Sequence, residues 1–326
     1  MPSEFEVITR YFSRPVPGDM LGAGDDCALL SVKPGMQLAT STDLLLEGRH
    51  FFSGTDPFRL GHKALAVNLS DLAAVGAKPL ACLLGLGLPS VDEKWVSRFA
   101  DGFYALADEF GCALIGGDTT RSVQGVTLSV TVFGEVTPDL AMRRSAAVPD
   151  DDIWVSGVLG AADIACRMLA GELPLDEARL AQTRLALEKP TPRVALGRRL
   201  APHVRAAIDL SDGLVQDLGH ILKASGVAAE LQEASIPVHA ALMGYDAAQV
   251  RRAILAGGDV YELCFTASPA QRDSLLRIAI EMDVPLTRIG RISGGSGVVV
   301  LDPDGHAVSD IPNGFDHFRS SGDARL

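Results

Sequence analysis

Aspartates recur in this sequence where apolar runs give way to small residues: Asp25-Asp26, Asp43, Asp71, Asp118, Asp209 and Asp212. Asp118 stands in Ile115-Gly-Gly-Asp-Thr-Thr120, and Asp43 in Ser41-Thr-Asp43. A single acid at such a point is ordinarily a turn former or a helix cap. Six such sites, flanked by small and hydroxyl residues, supply the carboxylate, hydroxyl and carbonyl oxygens that Mg2+ prefers. Residues 57–75 sharpen the pattern. They read as one long helix, apolar on nearly every side and therefore buried. Asn68 and Asp71, three residues apart, share a face with the small residues Gly61 and Ala64. A buried carboxylate needs a positive partner or several hydrogen bonds. The nearby sequence offers mainly more acids, with Lys63 on a different face. Either backbone groups satisfy an Asn–Asp pair, or a cation is bound; the cation is the more economical account.

The phosphate-binding signals are of an unusual kind. There is no Gly-x4-Gly-Lys-Ser/Thr loop. Gly22-Ala-Gly-Asp-Asp-Cys27 opens like a dinucleotide fingerprint, but its sixth position is not glycine and its acids would repel a pyrophosphate. A bound polyphosphate must then be bridged to carboxylates by metal ions, with Gly116-Gly117 allowing close backbone approach. Ile208-Asp-Leu-Ser-Asp-Gly213 precedes a helix, so Ser211 or Asp212 is a cap, a ligand contact, or both. Arg144 is the candidate cationic clamp, whereas Arg143 reads equally well as solvated surface.

The elements that must position these residues alternate along the chain. A short helix over 4–12 leads to strands over 27–32 and 37–46, then the helix over 57–75. A strand over 80–88, a helix over 93–110, a strand ending at Gly116-Gly117-Asp118 and a strand over 126–136 follow. Residues 138–152, with two prolines and three consecutive aspartates, read as a junction. Beyond it come a strand at 153–156, helices near 161–170, 176–188 and 193–203, a strand at 207–210 and a helix from Leu214. The remainder reads as strands near 228–232 and 260–266, a helix over 270–282, and strands near 287–292 and 297–301. Both halves are thus α/β or α+β, divided as 1–138 and 139–326.

Composition narrows the class. With 326 residues, 47% hydrophobic and 21% charged, the chain suits two globular domains. A net charge of −12 disfavours nucleic acid and anionic membranes as partners. The longest apolar run is far short of a membrane span, and the N-terminus lacks a signal-peptide pattern, so the expected location is cytoplasmic. Five dispersed cysteines point to reduced thiols rather than disulfides or a zinc site.

Taken in order, the motifs resemble one family. They are Gly-Ala-Gly-Asp-Asp (22–26), Ser-Thr-Asp (41–43), Gly-Arg-His-Phe (48–51), Lys-Ala-Leu-Ala-Val-Asn-Leu-Ser-Asp-Leu-Ala-Ala-Val-Gly-Ala (63–77), Ile-Gly-Gly-Asp-Thr-Thr-Arg (115–121), Ile-Asp-Leu-Ser-Asp-Gly-Leu (208–214), Tyr-Glu-Leu-Cys-Phe (261–265) and Gly-Phe-Asp-His-Phe (314–318). Across essentially the whole chain they resemble thiamine-monophosphate kinases, of the superfamily that includes aminoimidazole ribonucleotide synthetase. The resemblance implies two α/β domains, a homodimer formed through the N-terminal sheets, and Mg2+-dependent phosphorylation of thiamine monophosphate by ATP in the last step of thiamine diphosphate biosynthesis. It implies metal contacts at Asp26, Ser41, Thr42, Asp43, Asp71, Asp118, Asp209 and Asp212, and nucleotide contacts at Gly117, Asp118, Arg144 and Ser211. Thiamine-phosphate contacts fall on His50, Asp259 and Phe315, with no protein group acting as general base. One departure stands out: Gly257-Gly-Asp-Val-Tyr-Glu-Leu263 carries Asp259 where the family usually has Glu, and Val260 where it has an acid. Two rivals follow, a synthetase of the same superfamily and a non-catalytic sensor whose support is that altered loop.

Overall fold

The computed structural model describes residues 3–315 apart from positions 19, 25 and 313. Helix α1 (Glu4–Val7) runs into a π-helical turn (Ile8–Phe12). Strand β1 (Gln37–Leu46), helix α2 (Pro57–Val75), strand β2 (Lys78–Leu88), helix α3 (Glu93–Phe110) and strands β3 (Ala113–Arg121) and β4 (Thr127–Val136) follow. The four strands form one sheet in the order β1-β4-β2-β3. β2 and β3 are parallel, which requires a crossover, and α3 supplies it. The strand expected over 27–32 does not form. That segment makes only an isolated bridge between Leu21 and Leu29, with Leu29 exposed, and Pro34 ends the run before a ladder can extend.

Helix α2 is specified at both ends. Asp56 accepts from the Arg59 amide, Pro57 occupies the first turn, and Gly76 closes the helix at φ 75°. Its small residues bring neighbours to backbone contact. A Cβ on Gly61 would lie 2.0 Å from the Phe99 carbonyl oxygen, and one on Gly102 would lie 1.8 Å from that of Phe58, so α2 and α3 cross without side chains between them. Trp95, Phe99 and Phe103 stack along α3 above this crossing. The expected burial of α2 is therefore met, and nearly every residue from 60 to 74 is inaccessible.

The second sheet begins with β5 (Asp152–Ser156), followed by α4 (Ala161–Leu169), α5 (Glu177–Glu188), α6 (Val194–Leu200), β6 (Ala206–Asp209), α7 (Leu214–Ser225) and β7 (Ala228–Gln232). It continues through α8 (Ala247–Leu255), β8 (Leu263–Ala267), α9 (Arg272–Met282), β9 (Leu286–Ser293) and β10 (Gly297–Leu301), in the order β10-β7-β9-β5-β8-β6. Helix α8 has no counterpart among the sequence expectations. It is nine residues long, capped by Asp246, and its buried residues Ala253, Ile254 and Leu255 do not form a long periodic stripe. β8 starts at Leu263 rather than 260, because Asp259 and Tyr261 have φ of 59° and 54°, outside any strand conformation. Edge strand β6 packs on α2, and that contact joins the halves where the aspartates collect.

Candidate active site

The pleat of β1 turns Ser41 and Asp43 toward α2. The Ser41 hydroxyl donates to Asp71 Oδ2 at 2.5 Å. Asn68 Oδ1 accepts from the Asp43 amide at 3.1 Å, and its Nδ2 donates to the Ala64 carbonyl at 3.1 Å. Backbone groups therefore satisfy Asn68, which staples β1 to α2, while Asp71 is left to the cluster. Asp209, 5% exposed, enters from the end of β6.

These carboxyls repel one another. Burial, then the charges of Asp71 and Asp212, push Asp43 up to about 7. Burial also raises Asp71, against the Ser41 hydroxyl and the Arg144 guanidinium. Asp209 is pushed up to about 8 by burial and then by Asp71. No three of these acids have oxygens within 4.8 Å of one another; among the described residues that spacing occurs instead at Asp302, Asp304 and His306 on the exposed turn after β10. Among the described residues the cluster brings together oxygen donors and no lysine, with Arg144 the cation acting on Asp71, an arrangement that fits Mg2+.

The loop after β6 differs from its expected form. Gly213 is the N-cap of α7 and no side chain caps the helix, so neither Ser211 nor Asp212 has that role. The Asp212 and Gly213 amides both donate to Asp217 Oδ2 at 3.1 Å. These donors are turned inward rather than toward a phosphate. Burial, then the Asp212 charge, pushes Asp217 up to about 7, while the loop amides pull it down. Sequence reasoning missed Asp217; the available signal was an acid four residues after Asp-Gly on the buried side of a helix.

The residues expected to meet the acceptor lie around this same loop. Phe315 donates its amide to the Asp212 carbonyl at 3.0 Å, and the Arg49 guanidinium lies 4.6 Å over its ring. His50 Nδ1 accepts from the Leu46 amide at 2.9 Å, and its carbonyl accepts from Lys63 Nζ at 3.2 Å. Lys63 reaches on to Asp259 Oδ1 at 2.8 Å, where the Tyr261 hydroxyl also donates at 2.9 Å. Sequence reasoning placed Lys63 away from Asp71 but did not find this partner. Next to Asp259, Glu262 is held by Arg193 through two bonds of 2.8 and 2.5 Å and by the Ser156 hydroxyl. Asp25 and the tail-motif residues 316–318 lie outside the described residues.

Other expected contacts are not gathered here within one chain. The Thr42 hydroxyl turns to the opposite face of β1, donating to the Val130 carbonyl and accepting from Thr131. Asp43 aligns through Val130 and Leu84 with Gly117, three strands away, or about 14 Å. Asp118 aligns through Gly85 and Ser129 with Leu44, so it lies at the far edge and on the face opposite Asp43. Asp26 and Asp118 are exposed, and their carboxylates have no protein partner among the described residues. Beside the cluster, a cleft of about 550 Å³ runs from Ser41, Asp71, Arg143 and Arg144 to an apolar wall that includes Val75 and Met142.

Two domains of mixed α/β sheet with a carboxylate basin at their junction define the class: residues 24–136 match the AIR synthase related protein, N-terminal domain, and 150–302 match the corresponding C-terminal domain. The thiamine-monophosphate kinase of Salmonella typhimurium is 42% identical over 97% of this chain and 98% of its own. The crystal structure of thiamine-monophosphate kinase from Stenotrophomonas maltophilia superposes with a TM-score of 0.82 at 48% identity, covering 93% of this chain and 95% of that one. AaThiL complexed with AMPPCP and TMP superposes at 0.77 with 29% identity, covering 88% and 89%. The chain belongs to the AIR synthase related proteins and, within them, to the thiamine-monophosphate kinase family.

Proposed function

We propose that this protein transfers the γ-phosphoryl group of ATP to the phosphate of thiamine monophosphate, giving ADP and thiamine diphosphate, the last step in making that cofactor. The observation that carries this reading is the convergence of Asp43, Asp71, Asp209 and Asp212 from both domains beside the 550 Å³ cleft, without a lysine among them. The sequence family supports the acceptor. Asp43, Asp71, Asp209 and Asp212 would hold Mg2+, which when bound neutralises polyphosphate charge. Ser41 orients Asp71, Asn68 fixes the backbone at Asp43, and Asp217 fixes the turn that carries Ser211 and Asp212. Arg144, electrostatically linked to Asp71 at the cleft, meets the nucleotide phosphates, and the Val75–Met142 side takes the base. The acceptor phosphate, with a second pKa of about 6, is largely dianionic at neutral pH, so its oxygen attacks the γ-phosphorus as the bond to ADP breaks, with no protein base.

The sensor reading rests on the altered 257–263 loop, where Asp259 is paired with Lys63, and the enzyme relatives that match the whole chain weigh against it. Leu38, Leu44 and Leu46 are 49, 60 and 40% exposed on the sheet face that carries Asp118, which supports a homodimer across the N-terminal sheets in which Gly117 and Asp118 serve the other copy's site. No helix among the described residues is long and apolar enough to cross a membrane, in keeping with the cytoplasmic location we propose. Incubation with ATP, Mg2+ and thiamine monophosphate should yield thiamine diphosphate and ADP in equal amounts. ATP consumption without thiamine diphosphate would refute the assignment.

A further inference from the structure

Lys63 is a cation where none is expected. Its side chain is 3% exposed, on a helix buried between the two halves. A buried ammonium is stable only when paired, and among the described residues its partners are the His50 carbonyl and Asp259 Oδ1. The Asp259 side chain is 28% exposed and that of Lys63 3%, so the lysine lies on the buried side of the carboxylate and the carboxylate reaches the surface. Lys63 and Tyr261 both approach Oδ1, and Oδ2 accepts no hydrogen bond among the described residues. Burial and the Asp259 charge hold the Tyr261 phenol well above its usual pKa, so it remains a donor.

The loop itself would not hold this geometry. Asp259 and Tyr261 both sit at positive φ, a conformation non-glycine residues rarely adopt, and a bulky Tyr least of all. It persists because the Asp259 amide donates to the Ser211 carbonyl and the Tyr261 amide to the Leu210 carbonyl, each at 2.8 Å, while Lys63 pulls on the side chain. Lys63 and Asp71 are eight residues apart on one helix, a rise of about 12 Å along its axis. A single rigid helix therefore carries both a ligand of the carboxylate cluster and the anchor of the acceptor loop.

We infer that Lys63 is a positioning residue for acceptor recognition, holding Asp259 Oδ1 from behind so that Oδ2 is presented to the acceptor at a distance from the carboxylate cluster set by α2. The acceptor chemistry this selects at Oδ2 is a cationic or hydrogen-bond-donating group, on a molecule whose phosphate monoester meets the carboxylate cluster. Lys63 also compensates a carboxylate that would otherwise add to the repulsion met by an incoming dianionic phosphate. The inference rests on the reading that Asp259 faces the acceptor.

Steady-state kinetics with each substrate varied, on Lys63→Met, Lys63→Arg, Asp259→Ala, Asp259→Asn and Lys63→Met/Asp259→Asn, test both. Asp259→Ala and Lys63→Met should each raise the acceptor KM by about tenfold or more while leaving the ATP KM within about twofold. Lys63→Arg, which keeps the charge, should recover part of the loss. The double variant should be no worse than Asp259→Asn alone, because Lys63 has nothing to position once the carboxylate is gone. If Lys63→Met fails to fold, the double variant, which leaves no buried charge unpaired, still carries the comparison. An unchanged acceptor KM in Asp259→Ala overturns the assignment of Asp259, and the inference with it. A raised KM in Asp259→Ala with additive losses in the double variant, or with equal changes for ATP and acceptor in Lys63→Met, overturns the inference alone.

Discussion

Removing Mg2+ should make this protein lose stability as pH rises, and the carboxylate basin sets the size of the effect. Asp43 and Asp217 are pushed up to about 7 and Asp209 up to about 8, whereas aspartates in an unfolded chain titrate near 3.8. A carboxyl raised on folding keeps its proton in the native state after the unfolded chain has lost it. Stability contributed this way is present below the unfolded pKa and is lost as pH climbs toward the folded one. Between roughly pH 5 and 7 the native cluster then holds at least one extra proton, and each such proton gives a slope of about −1.4 kcal/mol per pH unit. Over two units that amounts to about 3 kcal/mol, or a fall in Tm of roughly 4 °C for a chain of this size. Mg2+ bound at the cluster would reverse the trend by favouring the ionised acids, and its binding near neutral pH should release protons. Thermal melts of chelator-treated protein at about pH 5.5 and pH 7.5, with and without millimolar Mg2+, read this directly, as does calorimetry in buffers of different ionisation enthalpy. A metal-free Tm that rises over this interval, or Mg2+ binding that releases no protons, would show that the acids do not form one repelling cluster.

Three further outcomes follow from particular contacts. Asp71→Asn and Asp118→Asn should each lower kcat by about a hundredfold or more with the fold intact. If Asp118 serves the other copy's site, mixing the two inactive variants under conditions of subunit exchange should restore part of the activity, and no recovery would place Asp118 outside that site. Asp217→Ala should raise the KM for ATP and for Mg2+, whereas Asp217→Asn should largely preserve both, because a single oxygen accepts both amides; equal losses would mean the charge matters rather than the acceptor. Arg193→Met leaves the Glu262 carboxylate buried against the Ser156 hydroxyl and should cost about 3 kcal/mol in denaturant melts, a loss largely relieved in Arg193→Met/Glu262→Gln.

Local signals carried far in this sequence, and the point where they stopped has a physical reason. The ends of α2 and α3 are written in caps and glycines, and both helices lie where periodicity puts them. Asn68 and Asp71 could be placed on one face of α2 because helical spacing is a local rule. Lys63 with Asp259, 196 residues apart, depends on how the two halves dock, and Arg193 with Glu262, 69 residues apart, on how the second half folds; no window of sequence contains that information. Asp118 illustrates the same limit from the other side. Its motif marks it as chemistry, but only the strand order β1-β4-β2-β3 shows that it stands at the edge and on the face away from Asp43.

The departure at position 259 shows how chemistry can change while geometry stays. The loop that carries Asp259 is fixed to the loop after β6 by backbone bonds, Asp259 to the Ser211 carbonyl and Tyr261 to that of Leu210, and that second loop is fixed in turn by Asp217. None of these bonds depends on the length of the side chain at 259. Asp259→Glu should therefore leave the backbone path unchanged and move only the carboxylate, which the long, flexible arm of Lys63 can follow. Because one strand end carries Asp209, Ser211 and Asp212 and also accepts the bonds of the acceptor loop, a displacement on either side is transmitted through Leu210 and Ser211. Acceptor and nucleotide binding should accordingly be coupled, and the coupling should be weakest in variants that release Asp217.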